Sequence, residues 1–173
     1  MTRVLSIDPS SSAIGWAILE SETGVGVPRL IAARVLKMTS TQYKAASKDE
    51  KIAFMIEGIG QIAFTARVEG VTDVVIETQG ERPVGKHKAT GGVMYGRAIG
   101  ACEYAFSRVP GVVLHRVDNA IWIGNKSKED RASELTMAGL YMPKPGKRFT
   151  DGDSGFDKSD AIALGWWWLR RNI

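Results

Sequence analysis

The sequence predicts an α/β fold built on a mixed five-stranded sheet, its first three strands antiparallel, with helices on both faces. Three observations carry this. Short β-branched runs recur at the start of the chain with only turns between them. Later runs of the same kind are separated by stretches with helical spacing, the pattern of parallel strands joined by crossovers. The 173 residues are 44% hydrophobic and 24% charged, which suits one folded domain over 1–173 and excludes a disordered or fibrous chain.

Arg3 to Asp8 reads as a buried strand that gives out into the turn Asp8-Pro9-Ser10-Ser11-Ser12. Ile14 to Leu19 completes a hairpin, and Leu30 to Leu36 supplies a third strand. Lys37 to Ser47 is polar, and Ser47-Lys48-Asp49-Glu50 has the form of a capping box. The helix that follows carries Ile52, Met55, Ile56, Ile59, Ile62, Ala63 and Ala66 in one apolar stripe. Val71 to Glu77 is a central strand whose Val-Val-Ile run delivers Glu77 at its end.

A glycine-rich basic stretch, Gln79 to Gly92, leads into a helix from about Val93 to Ser107, and Val112 to Val117 is the fifth strand. Asp118 and Ser127 are caps, the first of a short turn and the second of a helix running to about Leu140. Tyr141 to Gly155, with its prolines and glycines, reads as a loop, and Phe156 to Arg171 as a closing helix.

A net charge of +4 favours anionic partners. A single cysteine, Cys102, excludes an intrachain disulfide and a cysteine-built zinc site, and its apolar helical setting assigns it to the core. No run is long and apolar enough for a membrane span and no leader precedes Val4, so the expected location is cytoplasmic. Trp166, Trp167 and Trp168 are read as core or dimer contacts on the terminal helix.

The chemistry lies in four acids. Asp8 and Glu77 end strands that meet if they are neighbours, and two acids at one sheet edge persist when they are protonated, salt-bridged or holding a cation. Asp157 and Asp160 are three apart in the first turn of a helix and can face one site. Singly, each acid also fits a turn, a cap or, for Glu77, a salt bridge with Arg82 or Lys86; together they form an oxygen-only donor set suited to magnesium or manganese. Two such ions perform in-line phosphodiester hydrolysis.

These residues resemble the RuvC family of Holliday-junction resolvases. The resemblance runs through Val4-Leu5-Ser6-Ile7-Asp8-Pro9-Ser10 with Gly15, through Val75-Ile76-Glu77, and through Asp157-Lys158-Ser159-Asp160-Ala161, in the same order across nearly the whole chain. It implies a ribonuclease H-like fold and a homodimeric, magnesium-dependent endodeoxyribonuclease of DNA recombination and repair. Such an enzyme cuts four-way junctions and leaves 5′-phosphate ends, using Asp8, Glu77, Asp157 and Asp160 as metal ligands. It also implies a basic residue near the scissile phosphate, a place open to Lys126 or Lys128.

The chain departs from the family after Glu77, where no junction-wedging aromatic follows; Tyr95 is the nearest substitute. Arg82, Lys86, His87 and Lys88 instead form a cationic segment suited to DNA phosphates, or simply a solvated one. This suggests a divergent, phage-type member that acts on forks and flaps as well as four-way junctions. The competing readings are an actin-like or sugar-kinase-like nucleotide-binding domain, a non-catalytic junction binder, and a ribonuclease. The dimer contact is expected around Ile99, Ala101 and Phe106, residues that serve equally as core.

Overall fold

The computed structural model describes residues 1–10, 13–22, 26–79, 89–142 and 157–172. Its strands are β1 (Thr2–Pro9), β2 (Ala13–Ser21), β3 (Arg29–Lys37), β4 (Asp73–Thr78) and β5 (Val113–Asp118). They form one sheet in the order β3-β2-β1-β4-β5. β1 pairs antiparallel with β2, and β2 with β3; β4 lies parallel to β1 and β5 parallel to β4. The predicted architecture is the observed one.

The helices are α1 (Ser40–Ala45), α2 (Lys48–Val68), α3 (Ala89–Phe106), α4 (Asn119–Ile123), α5 (Lys128–Met137) and α6 (Asp157–Asn172). α2 begins at the expected capping box, with Ser47 accepting from the Glu50 amide and Glu50 from the Ser47 amide. α1 is an addition in the stretch read only as polar, and it starts at a second box made by Thr39 and Gln42. Asp118 and Ser127 cap α4 and α5. α5 stops at Met137 rather than near Leu140, because Gly139 takes a left-handed conformation at φ 71° and turns the chain away.

Successive strand side chains point to opposite faces, so residue parity divides the core in two. Leu5, Ile7, Val74 and Ile76 face α2 and α3 and pack with Ile59, Ile62, Ala98, Cys102 and Phe106. Val4, Ala17, Leu19, Val75 and Val117 face α4, α5 and α6 and pack with Trp122, Leu135, Ile162 and Leu164. Cys102 is fully buried as expected, and desolvation pushes its thiol up to about 12. One member of the predicted α2 stripe is corrected: Ile56 lies outside the core with more than half its surface exposed, and Gly58 takes a buried place against Leu36.

Of the residues read as dimer contact or core, Phe106 is core and Ala101 packs against it on the α2/α3 side of the sheet, and Ile99 is half-buried. The three tryptophans of α6 are partly buried against the second core. Among the described residues no helix is long and apolar enough to cross a membrane.

Candidate active site

β1 and β4 are adjacent and parallel, with Ile7 level with Ile76, so Asp8 and Glu77 follow side by side at the C-terminal ends of neighbouring strands. Their parity places both on the face covered by α6. That helix runs close over the sheet because two small residues allow it. A Cβ on Gly165 would come within 2.5 Å of Leu19 Cδ1 and 2.7 Å of Ser6 Oγ. Ser6 donates to the Ala161 carbonyl at 2.6 Å, pinning the helix one turn beyond Asp157.

Gly15 has the larger consequence. It sits opposite Asp8 in the β1–β2 register, and a Cβ there would lie 1.9 Å from the Asp157 carbonyl oxygen. The hydrogen at this position is what lets the first turn of α6 reach Asp8. The expected spacing of Asp157 and Asp160 then brings both acids into the field of Asp8.

The electrostatics are those of a buried acid cluster. Asp8 has its carboxyl pushed well above the usual range, chiefly by desolvation and then by Glu77, Asp160 and Asp157, with Lys128 opposing. Glu77 is 8% exposed and is raised to about 7, chiefly by desolvation; the hydrogen bond from Trp122 opposes this and the charge of Asp160 adds to it.

Asp160 is buried and held at both oxygens: Arg131 Nη2 lies 2.9 Å from Oδ1 and Lys128 Nζ 2.7 Å from Oδ2. Burial by itself would lower the Lys128 ammonium, but its hydrogen bond to Asp160 and the charges of Asp160 and Asp8 leave it raised. The two open lysine positions thus differ. Lys128 reaches the acids, whereas Lys126 pairs with Glu134 at 2.5 Å on the outside of α5.

Two neighbours of the acids were not read from the sequence. Trp122 donates its indole N–H to Glu77 Oε2 at 2.9 Å, and Arg131 both holds Asp160 and donates to the Lys126 carbonyl at 2.8 Å. The Arg131 guanidinium stands over the Trp122 ring, 5.1 Å from its centroid, joining the two supports. The sequence signal for Arg131 was its spacing of three from Lys128, which puts both cations on one face of α5. Trp122 had no such signal. Tyr95 is half-buried and donates to the Glu77 carbonyl at 3.2 Å, and its phenol is raised chiefly by burial.

The donor set is oxygen-only, and burial, with the neighbouring acids, raises the carboxyls of Asp8 and Glu77, a cost that a hard divalent cation relieves, so these residues fit magnesium or manganese. Among the described residues no three acidic side chains stand close enough together, as they are placed, to share one ion. Arg82, Lys86, His87 and Lys88 lie outside the described residues, as does most of the 141–155 loop.

The fold is ribonuclease H-like. Over 99% of this chain and 97% of the other, it matches RuvC of Thermus thermophilus in complex with Holliday junction substrate, at TM-score 0.67 and 17% identity. It also matches the yeast mitochondrial Holliday junction resolvase, over 98% and 78% of the two chains, at TM-score 0.64 and 14% identity. Fowlpox virus resolvase, solved with substrate junction DNA, matches over 97% of each chain at TM-score 0.54 and 12% identity. No protein-family model and no curated protein matches the sequence.

Proposed function

We propose that the chain is a structure-selective endodeoxyribonuclease that resolves Holliday junctions by divalent-metal-dependent phosphodiester hydrolysis. The observation that carries this is the gathering of Asp8, Glu77 and two α6 acids at adjacent strand ends of a resolvase fold, with the carboxyls of Asp8 and Glu77 raised, chiefly by burial. Asp8, Glu77, Asp157 and Asp160 would hold magnesium, with manganese as a substitute and two ions per site. Such ions, when bound, activate water and neutralise charge on the phosphoryl oxygens.

The chain's own groups prepare that chemistry. Trp122 fixes Glu77 through Oε2 and leaves its second oxygen available. Arg131 fixes Asp160 from the buried side. Lys128, half-exposed and 2.7 Å from Asp160, would meet a non-bridging phosphate oxygen, and it is the lysine we assign to catalysis over Lys126. Hydrolysis then leaves a 5′-phosphate. Symmetric cutting requires two copies of the single domain, related by a two-fold. Arg82, Lys86, His87 and Lys88 would contact phosphates.

The test is cleavage of a labelled four-way junction against fork, flap and linear duplex, with magnesium and with EDTA. Magnesium-dependent paired nicks in the junction are expected, and forks and flaps cut at a comparable rate would make the enzyme a general branched-DNA nuclease. The capture of Asp160 by Lys128 and Arg131 favours one second reading, a junction binder without catalysis. That reading is established if junctions are bound but not cut with any divalent cation.

A further inference from the structure

The ion pair of Lys128 with Asp160 sets two roles against each other. As a ligand, Asp160 must offer an oxygen to a divalent ion, and both its oxygens already face cations, Arg131 Nη2 at 2.9 Å from Oδ1 and Lys128 Nζ at 2.7 Å from Oδ2. Those charges repel an ion from the same carboxylate. To meet a phosphate, Lys128 must turn outward, whereas its ammonium is turned in upon the acids, and its charge is felt at Asp8 and Glu77 as well. Among the described residues no three acids are placed to share one ion. One movement, the departure of Lys128 from Asp160, meets both needs.

The two cations on Asp160 differ in burial. Arg131 is fixed: its side chain is 7% exposed, Nη1 donates to the Lys126 carbonyl at 2.8 Å, and the guanidinium stands over the Trp122 ring. The Lys128 side chain is 49% exposed. Lys128 is the first residue of α5, directly after the cap Ser127, so a flexible four-carbon stem carries the ammonium from the helix end. An ion pair with one partner half in water is weak and exchanges readily for another anion. Oδ2 is therefore the oxygen that can be released, with Oδ1 kept in place by Arg131.

We propose that Lys128 is a latch on the metal site: in the free protein it holds Asp160 Oδ2 and keeps the affinity for divalent cations low, and a phosphate of the bound strand draws it off. The ammonium then meets the phosphate as Oδ2 becomes available to the ion, so DNA binding and ion binding are coupled through one side chain. The inference rests on the nuclease reading for its ligand set. Coupling of this kind is reciprocal, and DNA tightens the ion by the factor by which the ion tightens DNA.

Calorimetric titration of calcium, a hard cation for the same oxygen donors, tests it on the free protein and with excess four-way junction that a gel shows to be intact. Free Lys128→Met is expected to bind calcium about tenfold more tightly than the free wild type, a factor ordinary for coupled sites. Lys126→Met, which removes the same charge from the outside of α5, should leave calcium affinity unchanged. With junction bound the wild type and Lys128→Met should converge, so that DNA tightens calcium about tenfold more in the wild type than in the variant.

Equal calcium affinity of the free wild type and free Lys128→Met overturns the latch. So does a gain in the variant that persists with junction bound, because a lysine that merely repels the ion acts in both states. Absence of calcium binding in every state removes the ligand set, and the latch with it. Junction cleavage with magnesium is read separately on the wild type. Cleavage with equal DNA tightening in both proteins sinks only the latch, and unequal tightening without cleavage under any divalent cation sinks only the nuclease.

Discussion

Two buried carboxylate sites stand at opposite ends of the same strand pair and have opposite electrostatics. At one end Glu20 of β2 is 5% exposed and sits between two arginines, with Arg3 Nε at 2.7 Å and Arg29 Nη2 at 2.5 Å. Its carboxyl is held below the ordinary range by the Arg29 and Arg3 hydrogen bonds. At the other end Asp8 and Glu77 crowd two further acids, and both are raised. The first arrangement lets folding use a charge, whereas the second makes folding bear one. A cluster kept at that cost is where a bound cation and chemistry are expected.

The largest effect that would break the comparison is at Asp8. Asp8→Asn removes a ligand while keeping shape, and is expected to lower junction cleavage at least about a hundredfold, as loss of a group that stabilises developing charge does. Glu77→Gln should do the same. Neither should cost stability. Because Glu77 rises from 4.5 to about 7, the folded state loses stability as pH climbs through that window in metal-free buffer. Glu77→Gln should therefore gain on the wild type between those values and hold its advantage above them. Denaturant melts in EDTA that show both variants destabilised at pH 8 would make these acids structural.

The comparison also shows what the sequence could reveal. Short β-branched runs and the three-and-four spacing of α2 specified the sheet and the helical crossover between its strands, because local pattern and burial agree there. Asp8, Glu77, Asp157 and Asp160 were legible because each ends a strand or opens a helix, places whose position follows from topology alone. Trp122, Arg131 and the pairing of Lys128, rather than Lys126, with Asp160 were not. They depend on how α4 and α5 dock on α6, a matter of packing between segments far apart in the chain. Ile56 was misplaced for the same reason, since a stripe wide enough for two faces does not say which edge α3 leaves bare.

Arg131 is the nearest thing to Glu20's arginines at the acidic end, and it sharpens the contrast. Arg131→Ala leaves Asp160 buried beside Lys128 alone, among other acids. Breaking a buried pair from one side costs about 3–5 kcal/mol, with the lower end expected here because Lys128 remains. Chemical denaturation should show this loss. An unchanged midpoint would mean that Asp160 is held by Lys128 and does not need its inner partner.

Gly15→Ala tests the backbone rather than the charges. The new methyl meets the Asp157 carbonyl, a backbone atom that cannot swing aside, so the first turn of α6 must lift. Overpacking of this kind costs about 1–3 kcal/mol. Cleavage should fall by more than the stability loss explains, because Asp157 moves away from Asp8. Wild-type cleavage with lowered stability would mean that Asp157 can leave its place without harm to the reaction, which removes it from the ligand set.

The smallest effect belongs to Glu20, and pH isolates it. A carboxyl whose folded pKa lies below its unfolded value stabilises the fold above the unfolded value and loses that contribution as pH falls through the folded one. For Glu20 the ordinary value is 4.5, so the wild type should be more stable than Glu20→Gln at neutral pH, with the difference shrinking steadily in acid below about that point. Arg29 is two-thirds exposed, which lets water and salt screen its share, and 1 M salt should narrow the gap at neutral pH as well. The opposite slopes of Glu20→Gln and Glu77→Gln against pH are the sharpest form of the contrast. Two parallel slopes would mean that the ends of the sheet are electrostatically alike, and that burial among acids does not raise the carboxyl of Glu77.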